Sequence, residues 1–185
     1  MMIPPDIRTS RLNIRAMEER DLTAVFACYD NLEVTRYCPP TRWPTMEHAR
    51  SWFARTQQRI ADGTAMQFVV ELAESSTVIG TCVLFKIDKD NKCAEIGYAL
   101  GRQFWGAGYM HEALQALIDN AFQGLKLHRL EATIDPRNEN SAKSLIRLGF
   151  KLEGTLRESS MDDGQFTHSG RYGLLDREWA TLSSS

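Results

Sequence analysis

The stretch Gln103-Phe104-Trp105-Gly106-Ala107-Gly108 has the composition of a loop that binds phosphate through its backbone. Glycine lets the main chain approach a ligand closely, and successive amides followed by a helix N-terminus cradle anionic oxygens. The loop follows a strand-like run at 94–100 and opens a helical pattern at 109–122. The sequence therefore predicts a phosphate-binding turn here. A glycine turn that only lets the helix pack on the strand is the alternative.

The residues around this turn exclude two common nucleotide loops and a zinc site. A Walker loop needs a lysine after its last glycine, which Gly108 does not have, and the third glycine of a Rossmann loop is replaced by His111. His111-Glu112 begins like a zinc-protease helix, but the second histidine is replaced by Gln115. No C-x-x-C pair occurs among the cysteines, so we expect free thiols and no metal; they are Cys28, Cys38, Cys82 and Cys93.

Hydrophobic periodicity outlines the elements that would position the loop. Helices are predicted at 22–29, from Thr45 to Gly63, at 109–122 and at 141–148. Strands are predicted at 11–16, 66–73, 78–87, 94–100, 127–135, 151–161 and 166–175. The strand, helix and strand at 94–135 form a β-α-β crossover, which places its two strands parallel. The pattern predicts an α/β fold with a mixed sheet.

Length and charge restrict the class of protein. With 185 residues, 43% of them hydrophobic, and a net charge of -2, the chain fits one globular domain over 1–185. No apolar run approaches the roughly 20 residues of a membrane helix, and the first residues lack a signal-peptide pattern. We therefore expect a cytoplasmic protein without membrane contact. A near-neutral charge also argues against direct binding of nucleic acid.

The combined motifs resemble the GNAT superfamily of N-acetyltransferases. Glu95-Ile96-Gly97-Tyr98-Ala99-Leu100, followed by Gln103-x-x-Gly106-x-Gly108-Tyr109-Met110 and Glu112-Ala113-Leu114, is similar to its acetyl-CoA motif. Asn138-Glu139-Asn140-Ser141, running to Leu148-Gly149-Phe150, and the opening Thr9-Ser10-Arg11-Leu12-x-Ile14-Arg15 resemble the RimJ/RimL-like subgroup, which acetylates ribosomal-protein N-termini. The resemblance spans about residues 8–179, nearly the whole chain.

The resemblance implies a mostly antiparallel sheet in which the parallel strands at 94–100 and 127–135 splay apart, flanked by helices. Acetyl-CoA would enter that gap, its pantetheine pairing with free strand groups and its pyrophosphate held by loop amides and the helix dipole. No metal is implied. The implied cofactor-binding residues are Tyr98, Ala99, Leu100, Gln103, Phe104, Trp105, Gly106, Ala107, Gly108, Tyr109, Asn138 and Ser141.

By the same resemblance, catalysis is direct attack of a neutral primary amine on the thioester in a ternary complex. Glu95 is the implied general base, directly or through a water; the alternative is a solvated strand glutamate paired with Lys92 or Arg129. Many family members have a tyrosine where this chain has Leu145, so Ser141 is the implied hydrogen-bond donor to the departing sulfur. Ser141 could instead be, or also be, a helix N-cap.

The acceptor is expected to lie against the variable segments 30–48 and 156–170, with Tyr37, Trp43 and Phe166 as candidate contacts. Trp52 is a further candidate, although aromatics at helical spacing are more often core. By analogy the expected acceptor is a protein N-terminal α-amine, including that of a ribosomal protein. A small-molecule amine acetyltransferase (for a polyamine, amino acid or aminoglycoside) and a non-catalytic acyl-CoA sensor are the alternatives. A homodimer is left open.

Overall fold

A computed structural model of the chain describes residues 5–37, 43–162 and 164–183. Its strands are β1 Ile7–Arg8, β2 Leu12–Ala16, β3 Ala65–Leu72, β4 Val78–Asp88, β5 Cys93–Leu100, β6 Arg129–Ile134, β7 Lys151–Asp162 and β8 Gln165–Leu175. Its α-helices are α1 Leu22–Tyr29, α2 Leu32–Thr35, α3 Met46–Ala61, α4 Tyr109–Asp119, α5 Glu139–Arg147 and α6 Asp176–Ser183. Cys38, expected to be a free thiol, lies outside the described residues.

All eight strands form one sheet in the order β1-β2-β3-β4-β5-β6-β8-β7, and β5–β6 is the parallel pair within it. The mixed, mostly antiparallel sheet flanked by helices confirms the predicted fold class. The sequence patterns did not predict the short elements β1 and α2, nor α6 at the end of the chain. The predicted helix at 109–122 is α-helical only to Asp119, and a π-helical turn covers Asn120–Gly124.

The parallel pair β5–β6 separates after three paired positions. Cys93, Ala94 and Glu95 pair with Arg129, Leu130 and Glu131. Beyond them, β5 stays paired with β4 to Leu100, and β6 stays paired with β8 to Ile134. The two strands therefore diverge while each keeps its outer neighbour, and a gap opens in the sheet.

Two hydrophobic cores hold the sheet, one on each face. The first packs the apolar side of α4, including Leu114 and Leu117, against strand residues such as Phe68 and Leu84, with Leu145 of α5. The second lies under α1 and α3 and includes Val25, Ala49 and Val69. Helices thus cover both faces and fix the two sides of the gap. Among the described residues, no helix is long and apolar enough to cross a membrane.

Trp43 belongs to the second core. Its side chain is 5% exposed, and its ring stacks 4.6 Å from the ring of Tyr29, with Trp52 4.9 Å away. Cys82 is likewise fully buried, in the first core, and burial raises its pKa to about 12. Both residues pack in the interior, as the sequence predicted for Cys82. The Trp43 side chain therefore has little exposed surface with which to make the acceptor contact predicted for it.

An ion-pair cluster joins β2 and β3 to the turn before α1. Arg15 donates to both carboxylate oxygens of Asp21 at 2.8 Å and to Glu71 at 2.9 Å. Burial alone would raise the pKa of Asp21, but hydrogen bonds from Arg15 and from the Glu18 amide outweigh it and lower that pKa. The Asp21 side chain is 4% exposed, so little solvent weakens the pair.

Asp21→Asn is expected to lower the free energy of unfolding by about 2 kcal/mol at pH 7, because it removes one partner of a buried ion pair. Since the folded-state pKa is lowered, the contribution is complete above the usual aspartate value of about 4 and is lost as pH falls through the folded-state pKa. Urea denaturation of the parent and this variant at several pH values measures the difference. Glu74→Gln, at an exposed position, is the control; equal stabilities of parent and Asp21→Asn at pH 7 would contradict the assignment.

Candidate active site

The gap between β5 and β6 is a cleft of about 1150 Å³. It is lined by residues 96–100 of β5, by 132–134 of β6 and by residues of the glycine loop, α2, α4 and α5. Side chains alternate along a strand, so a lining that includes five consecutive β5 residues exposes both faces of the sheet to the cleft. The cleft therefore extends into the sheet where β5 and β6 separate.

The glycine loop forms one end of the cleft. Gly106 and Gly108 have φ of +81° and +79°, in the region that favours glycine. A Cβ at Gly106 would meet nothing within 4 Å, so the backbone conformation is what requires glycine there. Gly108 is the N-cap of α4, and the loop therefore delivers its amides at the positive end of that helix.

Not all of the predicted cofactor residues face the cleft. Those that line it are Tyr98, Ala99, Leu100, Trp105, Gly106, Gly108, Tyr109, Asn138 and Ser141. Phe104 packs against the first core, and Gln103 and Ala107 are exposed on the loop. The indole N–H of Trp105 donates to the Leu100 carbonyl at 2.7 Å, which ties the loop to the end of β5.

Arg11 braces the outer side of the loop. Its Nη1 donates to the Ala107 carbonyl at 3.0 Å, its Nε to Glu112 Oε2 at 2.6 Å, and its guanidinium lies 4.6 Å from the centre of the Tyr109 ring. Thr9 donates to Glu112 Oε1 at 2.5 Å. Burial alone would raise the pKa of Glu112, but these hydrogen bonds lower it. The sequence motifs contain both Arg11 and Glu112, but no local pattern in them predicts that the two side chains meet.

Asn138 and Ser141 organise the start of α5. The Asn138 side chain accepts a hydrogen bond from the Ser141 amide at 3.1 Å, which makes Asn138 the N-cap. The alternative that Ser141 is the N-cap is therefore wrong, because it lies in the first turn. Its Oγ is instead 2.7 Å from the phenol oxygen of Tyr98 on β5. This contact joins β5 to α5 at the wall of the cleft.

Glu95 lies at the point where β5 and β6 separate. Its side chain is 6% exposed, and Lys86 Nζ donates to its Oε2 at 2.6 Å. The solvated alternative with Lys92 or Arg129 is wrong, since Glu95 is buried and Lys86 is the ion-pair partner. Glu95 itself does not line the cleft, which begins at the next residue, Ile96. Alternation along β5 places its side chain on the face of the second core.

Three arginines line the cleft. Arg36 and Arg137 both contact the ring of Tyr37, at 5.4 and 5.8 Å from its centre, and Arg147 lines the α5 side. The lining acids are Glu33, which pairs with Arg102, and Glu139, which pairs with Lys143. Tyr37 is thus the one predicted acceptor contact in the lining. Phe166, on β8, is 64% exposed and is not part of the lining.

No group of three or more side chains able to hold a metal occurs within residues 5–37, 43–162 and 164–183. His111, in the first turn of α4, lines the cleft, and its Nδ1 is buried without a hydrogen-bond partner in the described part of the chain. Burial, and secondarily the charge of Arg147, lowers its pKa. The lowered pKa favours the neutral imidazole at neutral pH.

The sequence matches the family profile of the acetyltransferase (GNAT) domain over residues 11–151. It is 38% identical over 172 residues to the uncharacterized N-acetyltransferase p20 of Bacillus licheniformis, covering 93% of this chain and 97% of that protein. It is 27% identical over 182 residues to the [ribosomal protein uS5]-alanine N-acetyltransferase of Escherichia coli, covering 95% and 94% of the two chains.

Solved structures share the architecture. A spermidine N-acetyltransferase from Vibrio cholerae in complex with CoA and spermine superimposes with a TM-score of 0.82 at 23% identity, covering 93% of this chain and 99% of that chain. RimL, a ribosomal α-N-protein acetyltransferase in complex with CoA, gives a TM-score of 0.83 at 22% identity, covering 92% and 98%. At these identities the likeness concerns the fold.

Proposed function

The chain belongs to the GNAT family of acetyltransferases, and on that basis we propose that it transfers the acetyl group of acetyl-CoA to the α-amine of a protein N-terminus. The observation that carries the proposal is the open edge of β5, which leads to the glycine loop along a cleft that is also lined by arginines. A ribosomal protein is the proposed source of that N-terminus, as for the Escherichia coli relative. We accordingly place the reaction in the cytoplasm.

The open edge suits the pantetheine arm of acetyl-CoA. β5 keeps β4 on one side as far as Leu100, but its pairing with β6 ends at Glu95, so the β6 side of the strand can receive the pantetheine amides as an added strand would. The loop amides around Gly106 and Gly108 would then hold the pyrophosphate at the start of α4. A chain with a net charge of -2 can bind this polyanion because the amides and helix dipole carry the positive potential. CoA bound to the two structural neighbours supports the same cofactor here.

The charge of the acceptor side favours a peptide over a polyamine. A polyamine carries several cations, and a site for it needs an excess of carboxylates. Here both lining acids, Glu33 and Glu139, are paired with cations, and Arg36 and Arg137 lie beside Tyr37, Arg137 itself paired with Asp135, so the lining has no excess of carboxylates. A peptide amine brings carbonyl oxygens and, in some sequences, acidic side chains that arginine can bind. Tyr37 between two arginines would form the wall of this peptide site.

The reaction requires a neutral amine, a polarised carbonyl and a protonated leaving sulfur. We assign amine deprotonation to Glu95, directly or through a water, since alternation along β5 places its side chain on the sheet face of α1 and α3 and it directly precedes the first cleft residue, Ile96. A backbone amide near Tyr98 or Ala99 would polarise the thioester oxygen. Ser141 would face the departing sulfur from the first turn of α5.

An acetyl-transfer assay on a panel of amines tests the acceptor class. Acetyl-CoA is combined with peptides of differing N-terminal residue, spermidine, an aminoglycoside and free amino acids, and the product is located by mass spectrometry. We expect at least one unblocked peptide to exceed spermidine about 10-fold or more in kcat/KM, with no transfer to its N-terminally blocked form. If a small amine is the preferred substrate, the proposed peptide acceptor is wrong. CoA binding without any transfer would favour the sensor, and no CoA binding would refute the cofactor assignment.

Arg11→Ala is expected to raise the KM for acetyl-CoA about 5- to 10-fold while changing kcat little. The change removes the hydrogen bond to the Ala107 carbonyl and the contact with Tyr109, so the amides of the glycine loop are held less firmly. Steady-state kinetics with varied acetyl-CoA measure it. Arg8→Ala, at an exposed position of β1, is the matched control. An unchanged KM would show that the brace does not position the loop.

A further inference from the structure

We infer that the phenol of Tyr98 is a positioning residue that orients the hydroxyl of Ser141 toward the leaving sulfur and supplies it with a proton. The inference rests on the proposed function, and it gives the Tyr98 side chain a role separate from the strand backbone that carries it. The observation is the 2.7 Å contact between the Tyr98 phenol oxygen and Ser141 Oγ, both on the cleft wall.

Either oxygen could donate in this hydrogen bond, and relative acidity favours one direction. A phenol is a much stronger acid than an alkyl hydroxyl, so Tyr98 is the better donor and Ser141 Oγ the acceptor. A serine in a helix otherwise tends to donate back to a carbonyl of the preceding turn. With Oγ engaged by Tyr98, the serine hydrogen is directed away from that phenol, and both residues line the cleft into which it can point.

Tyr98 and Ser141 also lie on the side of the sheet from which a donor must reach the cofactor sulfur. Tyr98 alternates with Gly97 and Ala99 on β5 and packs against the first core, on the face of α4 and the glycine loop. That is the face from which the cofactor would enter. Glu95 lies on the opposite face, so the group that removes a proton and the pair that delivers one are separated by the sheet.

The proposed proton transfer balances. The acceptor nitrogen forms a bond to the thioester carbon and loses one proton to Glu95 or a water, and the carbon–sulfur bond breaks. The sulfur takes the hydroxyl proton of Ser141 while Ser141 takes the phenol proton of Tyr98. Solvent then returns the proton to Tyr98. The phenol pKa of about 10 is close to the thiol value of about 8.5, whereas an alkyl hydroxyl alone is far too weak an acid for this step.

The test compares Tyr98→Phe, Ser141→Ala and the double variant with the parent, using the best acceptor of the panel. Each single variant is expected to lower kcat about 100-fold with the KM for acetyl-CoA within about 2-fold, and the double variant is expected to be no slower than the slower single variant. Tyr172→Phe, which removes a phenol hydroxyl outside the cleft lining, is the control. Circular dichroism and CoA binding establish that each variant folds.

A second measurement separates proton supply from packing. Replacing Tyr98 with 3,5-difluorotyrosine keeps the ring and lowers its phenol pKa, so the fall of kcat at high pH is expected to move to lower pH. The inference is overturned if the fall of kcat at high pH does not move in the fluorinated protein. It is also overturned if Tyr98→Phe leaves kcat unchanged or changes only KM, or if the losses in the double variant are additive. In those cases an active parent leaves the proposed function standing. A parent that acetylates no primary amine would overturn both.

Discussion

A Gly108→Val protein is expected to bind CoA about 100-fold more weakly than the parent while keeping its fold. Gly108 has a φ of +79° and caps the N-terminus of α4. A β-branched residue at such a φ is strained by about 1–3 kcal/mol, and rotating the backbone to relieve the strain turns the loop amides away from the cleft. Either response weakens the site proposed to hold the pyrophosphate.

Isothermal titration of CoA into parent and variant measures the effect. Gly154→Val is the matched control, because Gly154 lies on the exposed strand β7 without a positive φ and a Cβ there meets nothing within 4 Å. Melting temperatures of both variants report on folding. Parent-like CoA affinity in a folded Gly108→Val protein would remove the glycine loop from the cofactor site.

Glu95→Gln is expected to lower kcat by about 10²- to 10³-fold at neutral pH, the range typical of a lost general base. The substitution keeps the shape of a side chain that is 6% exposed but removes its ability to accept a proton. The defect is expected to shrink as pH rises toward the pKa of the acceptor amine, because solvent then supplies the neutral amine. A pH series of kcat in both proteins measures this recovery.

Glu131→Gln is the control for that experiment. Glu131 is the β6 residue paired with Glu95 across the parallel ladder, and it forms an ion pair with Arg129 outside the cleft lining. Its loss is expected to leave kcat within about 2-fold. A Glu95→Gln defect that stays constant across the pH series would indicate that Glu95 maintains the strand geometry through its Lys86 contact and does not act as the base.

Local patterns predicted the parts of the site that depend on neighbouring residues. The glycines at 106 and 108 and the helical period after them specify the turn and α4, and the crossover rule makes β5 and β6 parallel. The splay itself was expected from the resemblance, because no residue in either strand marks where pairing stops at Glu95 and Glu131.

Contacts between distant residues were harder to predict. Arg11 and Glu112 are 101 residues apart, and Lys86 reaches Glu95 only because β4 and β5 place them in adjacent strands. The burial of Trp43 depends on stacking with Tyr29 and Trp52 from two different helices and not on its own flanking sequence. Such pairings follow from the tertiary fold, which hydrophobic periodicity does not encode.

The three-residue ladder between β5 and β6 divides the sheet into two blocks. One block carries β1 to β5, the other carries β6, β8 and β7, and only the short ladder joins their backbones within the sheet. A pantetheine arm lying between the two blocks would pair with their strand edges as an additional strand would, and would bridge the gap between β5 and β6. The proposed cofactor would then be part of the protein's architecture as well as its reactant, and its binding would stabilise the folded chain.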